Sequence, residues 1–81
     1  MKTTLADLKR GEKGIVKYIA PGAIPIKLFE MGCLPGNPVE LIQCAPFKDP
    51  LYININGSYL AIRRATALVI EVERITETPG L

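Results

Sequence analysis

Alternation of apolar and polar positions is clearest from Leu51 to Arg63, on either side of Asn56-Gly57. An Asn-Gly pair is the preferred two-residue hairpin loop, because both loop positions need positive φ. With those residues in the loop, Ile55 pairs with Ser58, Ile53 with Leu60, and Leu51 with Ile62. Leu51, Ile53, Ile55, Leu60 and Ile62 then share one face, while Tyr52, Asn54, Tyr59, Ala61 and Arg63 share the other. A slip of one residue would turn every apolar group to the wrong side, so the register is well specified.

The remaining pattern supplies three more strands and some short helical turns. Gly14 to Ala20 is rich in β-branched residues and reads as a first strand, stopped by Pro21-Gly22. Val39 to Cys44 follows Pro38 as a second. From Leu68 to Glu73 the alternation returns, with Leu68, Ile70 and Val72 inward and Glu71 and Glu73 outward. Thr4 followed by Asp7 resembles a capping box over a helix of one turn or two, ended by Gly11 and Gly14. Ala23 to Gly32 reads as a short helix, with Pro25 suited to a first helical position and Gly32 to the left-handed position past the end. Arg64 to Ala67 reads as one helical turn. Five short strands leave edges exposed unless the sheet curls. The expected fold is therefore mainly β: a small SH3-like five-stranded barrel with one or two short helices. It occupies residues 1–75, and residues 76–81 lack periodicity and read as a frayed tail.

Composition narrows the function. The chain of 81 residues is 48 % hydrophobic and 22 % charged, in the ordinary globular range. A net charge of +2, with basic residues interleaved among acids, is too weak for a nucleic-acid footprint. No apolar run approaches the roughly 20 residues that span a bilayer, and no secretory signal is legible. A cytoplasmic protein with reduced thiols is expected. Histidine is absent, which removes the usual general base and the commonest metal ligand. No phosphate-cradling glycine motif is present. The reading is a binding domain, not an enzyme, with no cofactor and no tight Fe²⁺ site. Cys33 and Cys44 lack the CxxC spacing of structural zinc sites and are only weak metal candidates. Each reads instead as a small, partly buried hydrophobe.

Two surfaces are candidates for contact. At about 100° per residue along a helix, Ile24, Leu28 and Met31 fall on one arc that can face the barrel. Pro25, Ile26 and Phe29 fall on another, with Lys27 and Glu30 forming a narrow polar side. A small domain needs only one apolar stripe on a helix. Either loop residues such as Leu34 or Phe47 cover the second, or Ile26, Lys27 and Phe29 form a partner-binding surface. Tyr52, Tyr59 and Arg63, on the outer face of the hairpin, are the secondary candidate.

Met31-Gly32-Cys33-Leu34-Pro35-Gly36, followed by Val39 and Leu41, resembles the LG-x-x-PG turn of the FeoA family. Ala45-Pro46-Phe47-Lys48-Asp49-Pro50 is similar to that family's AP-x-GDP hairpin, with Lys48 where glycine is usual. Ile53-Asn54-Ile55-Asn56-Gly57, Leu60-Ala61-Ile62-Arg63-Arg64, Ala67 and Val72 follow its I-x-x-x-G…LA-[LI]-RR…A…V pattern. Leu5, Leu8, Gly11 and Gly14 fit at the start. Pro25 and the acid-free Arg64-Ala65-Thr66-Ala67 depart from it. The resemblance covers nearly all of residues 4–75. It implies a small SH3-like cytosolic protein without known catalysis, which supports ferrous-iron uptake by contact with the cytosolic part of a FeoB-type transporter. Ile26 and Phe29 would dock there or on a second copy of this chain, without membrane insertion. The alternatives are kinship with the C-terminal domains of iron-dependent repressors, which bind peptide or metal, and a nucleic-acid-binding small barrel.

Overall fold

The computed structural model describes residues 2–75. Leu5–Asp7 forms a single 3₁₀ turn. The Asp7 carboxylate accepts from the Thr4 backbone N–H at 2.8 Å and from the Thr4 hydroxyl at 3.3 Å. The capping residues are thus those expected, but the turn is tighter and shorter than an α-helix. There follow β1 (Lys13–Ile19), α1 (Ile26–Glu30), β2 (Pro38–Cys44), a 3₁₀ turn at Pro46–Lys48, β3 (Leu51–Ile55), β4 (Ser58–Ile62), α2 (Arg64–Ala67) and β5 (Ile70–Arg74).

The strands form one antiparallel sheet in the order β4-β3-β2-β1-β5. The hairpin register is the expected one, from Ile55–Ser58 through Ile53–Leu60 to Leu51–Ile62. Asn56 and Gly57 both have positive φ, 51° and 91°, as a type I′ loop requires. Register shifts in β1 between Val16 and Tyr18, and in β2 between Leu41 and Gln43, mark bulges that let the sheet bend. The β1 bulge explains why Val16 and Ile19 are buried while both residues between them are exposed.

The bent sheet wraps a core in which Leu5, Leu41, Leu51, Ile53, Ile55 and Ile70 are fully buried. No polar or charged side chain is buried among the described residues. Leu68 is an exception to the expected alternation: it is exposed, because α2 extends to Ala67 and β5 begins only at Ile70. The architecture is the SH3-like one, but the sheet is not closed. β4 and β5 are its two outer strands, and α2 connects them. The outer edge of β5 is covered by the N-terminal residues, through a Thr4–Glu71 bridge and a Val72 N–H that donates to the Thr3 carbonyl at 2.9 Å.

Candidate functional site

α1 is shorter than the periodicity predicts, and the prolyl ring is the reason. Pro25 (φ −58°, ψ 141°) stands outside the helix as its N-cap, so the helix starts at Ile26. The far end closes by a Schellman arrangement: Cys33 N–H donates to the Leu28 carbonyl at 2.9 Å, and Gly32 N–H to that of Phe29 at 3.0 Å. Gly32 takes the left-handed conformation this needs (φ +104°). Leu28 and Cys33, brought together by that closure, both lie in the core. Burial pushes the Cys33 thiol pKa up.

With only five helical residues, the two-arc description holds in part. Ile24 and Leu28 are buried, and Met31 is half-buried. Phe29 leaves the second arc and packs half-buried against the core. Ile26 stays 75 % exposed, and Lys27 and Glu30 are exposed beside it. Phe47 is 99 % exposed and therefore covers none of this surface. It sits at φ 64°, followed by Lys48 at φ 65°, on a loop whose Asp49 carboxylate accepts from Arg64 N–H at 3.0 Å.

Between α1 and β4 runs an open groove of about 450 Å³. Pro25, Lys27, Leu28 and Met31 form one wall, and residues 60–63 with Thr66 form the other. The groove joins one residue from each predicted surface, Lys27 and Arg63. It leaves Ile26, Phe29, Tyr52 and Tyr59 outside its lining. Tyr59 is 73 % exposed on the outer hairpin face, with Tyr52 exposed two rungs along. The wall made by Leu60, Ala61 and Ile62 was not singled out by the sequence. Its signal was the position of β4, a hairpin strand followed by a helix in place of another pairing strand.

The ion pairs among the described residues lie away from this groove. Arg74 Nε pairs with Glu12 at 3.3 Å, and Lys2 reaches Glu71 at 4.0 Å. Among the described residues, no carboxylate pairs with Lys27 or Arg63. Cys33 and Cys44 are both free thiols in unlike settings, one buried and one exposed. No three His, Cys, Asp or Glu side chains gather into a metal-holding cluster among the described residues. None of the described helices is long and apolar enough to cross a membrane.

The FeoA domain model matches residues 3–74. A Porphyromonas gingivalis protein, a fusion of Fe(2+) transport protein A and the Fe(2+) transporter FeoB, is 36 % identical over 73 residues. That match takes in 89 % of this chain but 9 % of the fusion protein. The solution structure of the Chlorobium tepidum FeoA protein superposes with a TM-score of 0.84 at 30 % identity, covering 96 % of this chain and 75 % of that one. The zinc complex of Stenotrophomonas maltophilia FeoA, a procaryotic SH3 domain protein, superposes with a TM-score of 0.74 at 25 % identity, covering 88 % and 89 %. On its sequence from Thr3 to Arg74 and on its bent five-stranded sheet, this chain belongs to the FeoA family.

Proposed function

We propose that this chain is a non-enzymatic cytosolic accessory domain for ferrous-iron uptake, acting by contact with the cytosolic part of a FeoB-type transporter. The observation that carries this is the Porphyromonas gingivalis relative, in which a matching domain and FeoB share one polypeptide. Fusion holds two domains at high effective concentration, an arrangement suited to partners that work in contact. The chemistry agrees with binding. The exposed surface offers apolar and basic groups, and the chain has no histidine.

The contact surface centres on Ile26 and Lys27 at the start of α1, with Phe29 holding the helix to the core beneath them. An exposed apolar side chain beside a charged one is the usual make-up of such a patch. The test is co-purification of the tagged chain with the transporter from its native membrane fraction. Ile26→Ser and Lys27→Glu should each reduce recovery of the transporter while leaving the melting temperature unchanged. Full recovery with both variants would overturn this surface. Failure of the unmodified chain to recover the transporter would overturn the accessory role.

A further inference from the structure

The two edges of the sheet are treated differently. Residues 3–4 cover β5, whereas β4 has a neighbour on one side only. In an antiparallel pair closed by a two-residue loop, the residues flanking the loop exchange both hydrogen bonds, and every second pair after them does the same. Ser58, Leu60 and Ile62 therefore turn their backbone groups toward β3. Tyr59 and Ala61 turn theirs away from it. Neither has a turn, loop or side-chain hydrogen bond among the described residues. Ala61 lies in the groove lining, so part of this open edge faces the groove beside α1.

We infer that the groove between α1 and β4 takes an extended, acid-bearing segment of a partner chain, added to β4 as a sixth strand. Open backbone donors and acceptors are a template for another backbone in extended form. The volume, about 450 Å³, is in the range of sites that seat a ligand. The apolar lining of Leu28, Met31, Leu60 and Ile62 takes alternate apolar side chains of the incoming strand. Charge selects the rest. Lys27 and Arg63 are the charged residues of the lining, and it contains no acid. A segment carrying glutamate or aspartate matches that lining, whereas a second copy of β4, Ser-Tyr-Leu-Ala-Ile, has no acid to offer it. Only the identity of the partner rests on the accessory reading above; the edge does not.

The test uses the full ¹⁵N-labelled chain with a blocked seven-residue peptide alternating valine and glutamate. Three comparison peptides carry lysine in place of glutamate, or N-methyl groups on alternate residues along one backbone edge or along the other. The expected result is at least ten-fold slower hydrogen exchange at the Tyr59 and Ala61 amides with the glutamate peptide. Binding should be at least ten-fold weaker with lysine, and protection should be lost with one of the two N-methyl registers. No binding at millimolar peptide, binding without protection of those amides, or equal binding of the glutamate and lysine peptides would each overturn the inference. Protection that rises with protein concentration alone assigns the edge to a second copy and overturns it as well. Loss of transporter recovery in Ile26→Ser, with Tyr59 and Ala61 left unprotected by peptide, discards the added strand and keeps the accessory role. Protected amides without transporter recovery do the reverse.

Discussion

Gly32 and Gly57 both sit at positive φ, but in different surroundings, and alanine at each separates two costs. A Cβ on Gly57 (φ +91°) would meet nothing within 4 Å. There the change carries only backbone strain, about 1–2 kcal/mol, offset by roughly 0.4–1 kcal/mol because alanine restricts the unfolded chain. A Cβ on Gly32 (φ +104°) would lie 2.9 Å from the Asn56 Cβ and 3.0 Å from its Nδ2. Asn56 is itself held at φ 51° in the hairpin loop, so it cannot retreat without disturbing that turn. Overpacking of this kind adds roughly 1–3 kcal/mol. Gly57→Ala should therefore cost about 1 kcal/mol and Gly32→Ala about 2–4 kcal/mol. At about 4–8 °C per kcal/mol for a domain of this size, thermal unfolding resolves the two. Asn56→Gly removes the opposing side chain, and a Gly-Gly loop still supports the type I′ turn. In that background the cost of Gly32→Ala should fall to strain alone, a coupling of about 1–3 kcal/mol. Equal costs in the two backgrounds would refute the reasoning, as would a Gly32→Ala no worse than Gly57→Ala.

Lys48→Gly should raise stability by up to about 1 kcal/mol in urea titration, because glycine relieves the left-handed strain at φ 65° while giving back some unfolded-state entropy. A loss of stability would show that the Lys48 side chain contributes more than its backbone costs. Phe29→Ser should destabilise by roughly 1.5–3 kcal/mol, since half of a large apolar side chain leaves the core, whereas Ile26→Ser should stay within about 0.5 kcal/mol. With a disulfide-exchange reagent, Cys44 should react at once and Cys33 only as the chain unfolds. Because burial raises the folded pKa of Cys33, stability should be full below the ordinary thiol range and fall as pH rises through that range toward the folded value. That fall should be reduced in Cys33→Ala.

The hairpin was legible because its information is local: an Asn-Gly pair and five residues on each side leave one register that buries the isoleucines. The helix length was less so. A proline can begin a helix or stand just before it, and here the backbone of Pro25 takes the second option. Leu68 misled through its alternation with Ile70 and Val72, since period alone does not tell where a helical turn hands over to a strand. The departure at Lys48, where the family resemblance has glycine, falls on a residue with positive φ, so the missing glycine marks real backbone strain. The groove was not legible in outline. Its walls come from residues 25–31 and 60–66, and nothing local to either segment indicates the other. Lys27 and Arg63 were each found as members of separate surfaces, and only folding sets them on one.

The hydrogen bond from Val72 to Thr3 fastens the first described residues to β5, so Thr3 and Arg74 both lie on the β5 side. β4 lies at the other end of the strand order. A tether attached before Thr3 or after Arg74 would therefore run from the same margin, and the margin bearing α1 and β4 would swing outward like the free side of a hinged door. Joined at either end to a larger polypeptide, as a matching domain is in the Porphyromonas gingivalis relative, the domain would be held by the same margin. Order of fusion would then matter little, and length of linker a great deal.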